Sequence, residues 1–314
     1  MILENTSRVG FGGCWGTSEE KALVLDRLLE KTKDKKIVLD DGFGYSGKLV
    51  NTKFIGEYIA NKPRDKFIII EKLPLFNALY KENYNSSLYT CSDEELETMV
   101  NDIFTLQLST LKTEYVDCYM LHALFDMQYA NGYDLEEDIK LYKRLVPILL
   151  KLKENGKAKS LGFSCHITFE RLCLFLNEVD PDNKIFDVAE VSYNTLNNKG
   201  VDSANPPMFN KLHNIITWSA IGEKGIQYLK NKGYEIIDMM PHESGRLLKV
   251  STAPDFIKWN DTFIMKNKDI SVVLEGTTNP ENIDKMLICA EEIKDPNPIP
   301  DMRIIGIGSC HCSE

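Results

Sequence analysis

Short apolar runs recur from one end of the chain to the other, and eight of them have the β-branched or aromatic make-up of strands: "RVGFG", "KIVLD", "FIIIE", "YVDCYMLH", "SLGFS", "DVAEVSY", "YEIIDMM" and "SVVLEG". Most are continuous rather than alternating, the pattern of strands covered on both faces. Helical spacing fills the intervals. "SEEKALVLDRLLEKT" sets Ala22, Leu25, Leu28 and Leu29 on one face behind a Thr17-Ser18 start. "SDEELETMVNDIFTLQLSTL" opens on Ser92 or Asp93 with Glu95 near the capping-box position. "LYKRLVPILLKLKENGKAK" stops at Gly156, and "NIDKMLICAEEI" is amphipathic. Eight strands alternating with helices predict an α/β fold, a single-domain (β/α)8 TIM barrel over residues 1–305 with a short tail at 306–314. A doubly wound open sheet is the alternative. It is disfavoured because "GFGG", after the first strand, lacks the third glycine of the dinucleotide fingerprint. Two connections are long, 123–139 and 194–217, and the second contains "NNKGVDSANPPM", a loop by every breaker rule. Long loops on a barrel tend to carry function.

Composition narrows the classes. With 314 residues, 43% of them hydrophobic and 27% charged, the chain can bury a core and is not globally disordered. A net charge of −10 argues against a nucleic-acid partner, while leaving room for an anionic small ligand at a local basic patch. No run approaches the roughly 20 apolar residues of a membrane span. The eight cysteines form no CxxC pair and no cleavable leader is apparent, so reduced thiols in a cytoplasmic protein are expected. The terminal "GSCHCSE" has a CxC spacing uncommon in zinc sites, and no metal is expected. Nothing in the pattern specifies an oligomeric state.

Barrels of this kind present their chemistry at the C-terminal ends of the strands. Those ends carry Asp40-Asp41 with Tyr45 just beyond, Glu71-Lys72, His122, Ser164-Cys165-His166, Glu190, Met239-Met240 and Glu275-Gly276. A lone strand-end aspartate is usually a cap, a lone histidine usually a satisfied core residue, and lysine and tyrosine have ordinary roles on surfaces and in packing. Four complementary types on one rim say more. An ammonium beside a phenol favours the phenolate and brings its pKa down from about 10 toward working pH. A carboxylate makes the buried ammonium affordable, and a neutral imidazole can orient a carbonyl oxygen. Asp40 would hold Lys72, Lys72 would tune Tyr45, and His122 would position the substrate, which together form a general-acid site for carbonyl reduction.

These segments resemble the aldo-keto reductase superfamily. "LDDGFGYSG" is similar to its Asp-Thr-Ala-x-x-Tyr-Gly segment, "FIIIEKL" to the strand that ends in the catalytic lysine, and "LKTEYVDCYMLH" to the run that ends in the catalytic histidine. "LKENGKAKSLGFS" and "VAEVSYNTLN" match two further family strands, and the likeness runs from "RVGFGGCW" to "EGTTNPENI". The resemblance implies reduction of a small aldehyde or ketone with NADP(H) or NAD(H), hydride coming from the cofactor and the proton from Tyr45. It implies that Ser164, Cys165 and Glu190 face the nicotinamide carboxamide, where the family has Ser-Asn-Gln, and that Met239 lies under the ring. Ser244, Gly245, Arg246 and Leu247 correspond to the loop over the pyrophosphate. Gly276, Thr277 and Asn282 correspond to the adenosine end, Asn282 standing where the family commonly has an arginine for the 2′-phosphate. That arrangement makes NAD as credible as NADP.

Trp15, Phe43, Phe76, Tyr80 and Trp218 are candidates for the substrate wall and equally for core, and His166 for the pocket rim. Two other readings stay open: a non-catalytic barrel serving as a binding or regulatory subunit, motivated by the altered carboxamide residues, and a Schiff-base role for Lys72, which Asp40 opposes by keeping the amine protonated.

Overall fold

The computed structural model describes residues 1–75, 87–125, 134–204, 218–247 and 256–291. Eight parallel strands close into a barrel in sequence order: β1 (Val9–Gly12), β2 (Ile37–Asp40), β3 (Phe67–Leu73), β4 (Val116–Leu124), β5 (Ala158–Cys165), β6 (Val188–Ser192), β7 (Glu235–Met239) and β8 (Val272–Glu275). The helices that cover them are α1 (Ser18–Lys31), α2 (Val50–Ile59), α3 (Asp93–Leu111), α4 (Leu135–Glu154), α5 (Phe169–Val179), α6 (Gly222–Asn231), α7 (Phe256–Lys266) and α8 (Pro280–Glu291). This is the (β/α)8 fold expected from the patterning.

Local chemistry explains most helix starts. Thr17 and Ser92 each close a reciprocal capping box, with Glu20 and Glu95 returning to the cap nitrogens at 2.8 and 2.9 Å. Asp134 caps α4, so part of the 123–139 connection expected as loop is the first turn of a helix. Gly156, at φ +72°, turns the chain away after that helix. Helices α2 and α6 begin at Leu49 and Ile221 without any side-chain cap.

The core has two layers. The larger one lies between strands and helices, with Leu25, Leu28, Ile69, Leu121, Phe163 and Ile236 among its buried members. The other fills the barrel: Val38, Ile68, Ile70, Cys118, Met120, Val188, Ile237, Met239, Val272 and Leu274, with Leu3 packed on it. Space there is tight. A Cβ on Gly10 would sit 2.9 Å from a methyl of Val272 and 3.2 Å from Cβ of Val38. Because side chains alternate along a strand, the next inward positions after Val38, Ile70, Met120 and Val188 are Asp40, Lys72, His122 and Glu190. An apolar plug thus carries a polar layer on its C-terminal side. Glu71 points outward instead, where Gln107 of α3 donates to it at 2.8 Å.

Barrel closure is reinforced from the N-terminus. Val9 pairs with Val273, the backbone nitrogens of Ile2 and Leu3 donate to Glu235 at 2.7 and 2.9 Å, and the Arg8 guanidinium donates to the carbonyls of Met265, Asn267, Ile270 and Ser271. No disulfide joins the six described cysteines. No helix among the described residues is long and apolar enough to cross a membrane, and among them no group of three His, Cys, Asp or Glu side chains could hold a metal ion. The 306–314 tail lies outside the described residues.

Candidate active site

The paired acids at the end of β2 have different partners. Asp40 points into the barrel and forms an ion pair and hydrogen bond with Nζ of Lys72 on β3. Asp41 caps the following turn, its Oδ1 accepting from the Gly42 nitrogen and from Asn51 Nδ2, both at 2.8 Å. In that turn the Tyr45 nitrogen donates to the Gly42 carbonyl at 2.9 Å. Gly42 is needed for clearance, since a Cβ there would lie 2.9 Å from the Tyr45 ring. The ring therefore folds back over the turn, and its hydroxyl reaches 3.3 Å from Lys72 Nζ. The same ammonium donates to the Asp41 carbonyl at 3.1 Å. His122, on the inner face of β4, meets the Tyr45 ring edge-on, with centroids 5.9 Å apart and planes at 78°. Asp40, Tyr45, Lys72 and His122 thus come together at the C-terminal mouth of the barrel.

A fifth group joins them. Glu190 of β6 places Oε1 3.3 Å from Lys72 Nζ and its carboxyl meets that of Asp40. The side chains of Lys72 and Glu190 are 0% and 1% exposed. Burial pulls the Lys72 pKa down; the charges of Asp40, Glu190 and Tyr45 more than reverse that, and it lies well above the usual lysine value. This opposes a Schiff-base role, which needs the free amine. Asp40 is pushed well above the carboxylate range, by burial first and the Glu190 charge second, against the pull of Lys72. Tyr45 departs from expectation. Burial and the Asp40 charge drive its pKa well above 10, Lys72 only partly offsets them, and the Glu190 charge adds to the rise. In this arrangement Lys72 does not bring the phenol down toward neutrality; it holds it in place and limits the rise. His122 falls to about 3 through burial and the Lys72 charge, so it is neutral at ordinary pH. Burial likewise lowers His166 to about 4.

The remaining residues expected around a cofactor lie at the same end. Ser164 Oγ accepts from the Ala123 nitrogen at 2.9 Å, joining β4 to β5. Cys165 is the buried last residue of β5, and Met239, last in β7, packs into the barrel interior. Glu190 sits on Lys72, a placement its expected role facing a carboxamide did not include. The loop after β7 holds Glu243, Ser244 and Gly245 in left-handed conformations at φ 50°, 54° and 79°, strained for the first two. Buried Glu243 anchors it, with Oε1 accepting from Asn194 and Asn197 at 3.0 and 3.1 Å. Arg246 follows, its nitrogen donating to the Glu243 carbonyl at 3.1 Å, and then buried Leu247. Buried Nη1 of Arg246 has no hydrogen-bond partner among the described residues, an orphan cationic donor suited to an anion. Gly276 and Thr277 follow β8. Asn282 Nδ2 donates to Thr277 Oγ1 at 2.9 Å, and Lys285 Nζ lies 3.4 Å from Asn282 Oδ1.

The sequence gives no spacing signal for one further cluster, assembled from three separate segments. His242 Nε2 is 2.6 Å from Asp261 of α7, and its Nδ1 is 3.6 Å from Glu275 at the end of β8. Burial opposes the imidazolium, yet the bond to Asp261 and the Glu275 charge raise His242 to about 9. Glu275 itself rises to about 7, chiefly through burial. Of the wall candidates, Trp15 and Trp218 are exposed and Phe43 is buried. Trp218 lies over the His166 ring with centroids 5.2 Å apart. Phe76 and Tyr80 fall outside the described residues.

A sequence profile of the aldo/keto reductase family matches residues 14–283, and the chain belongs to that family. No curated protein matches the sequence significantly. Similar solved structures include an aldo-keto reductase from Bacillus halodurans in its holo form, 15% identical with a TM-score of 0.62, covering 96% of this chain and 91% of that one. An aldo/keto reductase from Klebsiella pneumoniae, in complex with NADP and acetate, is 12% identical with a TM-score of 0.60 and coverages of 92% and 88%. Aldose reductase from Giardia lamblia is 15% identical, with a TM-score of 0.57 and coverages of 94% and 90%. At these identities the structural likeness speaks for the fold.

Proposed function

We propose that the protein is an NADP(H)-dependent reductase of a small aldehyde or ketone. The observation that carries this reading is the Tyr45 hydroxyl 3.3 Å from the Lys72 ammonium, with Asp40 on that ammonium and His122 beside the ring. A phenol so placed can give its proton to a carbonyl oxygen as negative charge develops there. Neutral His122 serves as a hydrogen-bonding guide, since it carries no competing charge. Lys72 stabilises the phenolate that remains after transfer, and Asp40 keeps Lys72 charged and aimed. Assembly of all four groups supports a reductase over a barrel that only binds.

The residues at the mouth fit a dinucleotide. Arg246 would take the pyrophosphate on its orphan donor, with Ser244, Gly245 and Leu247 forming the loop over it. Ser164, Cys165 and Glu190 would face the carboxamide, with a Glu190 carboxylate oxygen accepting from its amide, and Met239 would pack under the ring. Gly276, Thr277 and Asn282 would surround the adenosine end, where Lys285 supplies the positive charge for a 2′-phosphate that Asn282 lacks. Once bound, the cofactor supplies the hydride. The Klebsiella relative in complex with NADP supports the choice of the phosphorylated cofactor. The test is direct: mix the protein with NADPH, follow nucleotide fluorescence for binding, then add a panel of aldehydes and ketones and follow loss of the reduced-nicotinamide absorbance. Failure to bind either NADPH or NADH would sink the reading.

A further inference from the structure

Tyr45 rides on a turn with little packing of its own. Gly44, Ser46, Gly47 and Lys48 around it are exposed. Ser46 stands at φ 59° and Leu49 at φ 58°, left-handed values that a residue with a side chain keeps only when its surroundings enforce them. Part of the enforcement comes from a helix on the other side of the turn. Lys21 of α1 is 2% exposed, and its ammonium donates to Ser46 Oγ at 3.0 Å and to Asn51 Oδ1 at 2.8 Å. Each partner passes the grip on. The Ser46 hydroxyl donates to the Cys14 carbonyl at 3.0 Å, which ties the turn to the loop after β1. Asn51 Nδ2 donates to Asp41 Oδ1 at 2.8 Å, and the Asn51 nitrogen donates to the Tyr45 carbonyl at 3.3 Å. Asn51 is itself buried, and a Cβ on Gly13 would collide with its amide.

We infer that Lys21 is a positioning residue for proton transfer, clamping the turn so that the Tyr45 hydroxyl stays beside the Lys72 ammonium and open to a carbonyl. The inference rests on the reductase reading above and deepens it. Neither the helix nor the core calls for a lysine at this position. It lies near the start of α1, where a positive charge opposes the helix dipole, and an ammonium is costly to bury. Both hydrogen-bond partners of its Nζ are neutral oxygens of the segment that carries Tyr45. Asp41 joins this network through the Asn51 amide. An apolar side chain would fill the same space at less cost. What the ammonium adds is a pair of directed bonds onto one turn. Those bonds go to Ser46 and Asn51 and not to the phenol, so Lys21 acts by placing the acid.

The test separates placement from general support. In the full chain, Lys21→Met keeps the apolar stem and removes both bonds. Three quantities are measured for this variant, for Tyr45→Phe and for the double variant: hydrogen exchange over residues 41–51, NADPH binding by nucleotide fluorescence, and turnover of a carbonyl substrate. Lys21→Met should speed exchange in that segment and leave NADPH affinity within about twofold of the parent. Turnover should fall about 10–100-fold, the loss that goes with a displacement on the order of 1 Å at a reacting group. In the Tyr45→Phe background the same change should cost less than about twofold, because no proton donor is left to place. Unchanged exchange, turnover within about twofold of the parent, or a loss that follows NADPH affinity overturns the inference. So does an equal loss in both backgrounds, which would mark Lys21 as support for the whole mouth. These outcomes leave the reductase reading intact. A parent chain that reduces no carbonyl with NADPH or NADH, or a fully active Tyr45→Phe, removes that reading's acid and the inference together. Should Lys21→Met not fold, Ser46→Ala removes one of the two bonds and is judged by the same outcomes.

Discussion

Glu190 stands 3.3 Å from Lys72 inside the barrel, so the ammonium answers to two carboxylates. That contact makes Lys72 as much a structural cation as a participant in chemistry. Removing it leaves Asp40 and Glu190 facing one another out of water. Lys72→Met is expected to abolish turnover and to cost about 3–5 kcal/mol of stability, read as a lower denaturant midpoint. A variant as stable as the parent would show that the pair is relieved by a proton without loss.

Tyr45 has the narrower role. Tyr45→Phe keeps the ring against Gly42 and His122 and removes only the proton. Turnover should fall by about 10²–10⁴-fold with NADPH affinity nearly unchanged. Full activity in this variant would reject Tyr45 as the acid.

The loop carrying Arg246 depends on Glu243, which takes both amide donors of Asn194 and Asn197. Glu243→Ala orphans those donors and frees a loop held in left-handed conformations. A stability loss of about 1–3 kcal/mol and a drop of about tenfold in NADPH affinity are expected. Glu243→Gln retains an acceptor oxygen and should restore most of both. A glutamine variant as impaired as the alanine variant would show that charge, not the hydrogen bonds, holds the loop.

His242 sets a pH dependence. Its folded value of about 9 stands above the ordinary histidine value of 6.5, so its contribution is full below about 6.5 and is lost as pH rises through about 9. Glu275, raised from 4.5 to about 7, acts in the same sense at lower pH: the folded state favours its protonated form, and that stabilisation fades between those values. Thermal stability should therefore decline from mildly acid to mildly alkaline solution, by on the order of 1–3 kcal/mol from His242. His242→Gln should flatten the decline between about pH 6.5 and 9. An unchanged slope in that variant would assign the effect elsewhere.

The strands were legible because a barrel strand is buried on both sides and so writes a continuous apolar run. "FIIIE" opens β3 and "YVDCYMLH" begins one residue before β4, and each strand continues two residues further, to Leu73 and Leu124. Helices with polar caps were equally readable at Thr17 and Ser92. Helices α2 and α6, which start uncapped on Leu49 and Ile221, offered nothing at their ends to read. α5 did offer a signal, Thr168 capping the Arg171 nitrogen, but the short pattern after it was not distinctive. Asp40, Tyr45, Lys72 and His122 could be picked out because strand-end chemistry projects into one mouth. What the sequence could not show was the balance of fields there. The second carboxylate on Lys72 depends on β6 lying across the barrel from β3, and the rise of Tyr45 comes first from burial and the Asp40 charge. The His242 cluster was hidden for the same reason: α7, β8 and the loop after β7 meet only in three dimensions.

The pairing of β1 with β8 has a consequence for how the chain comes into being. The strand that seals Val9–Gly12 is more than 250 residues downstream, so during synthesis both flanks of the nascent sheet stay unzipped until β8 has emerged from the ribosome. Over that interval the growing chain exposes two adhesive strand margins. Arg8, gripping four carbonyls around the last strand, is then a latch that can shut only at the end.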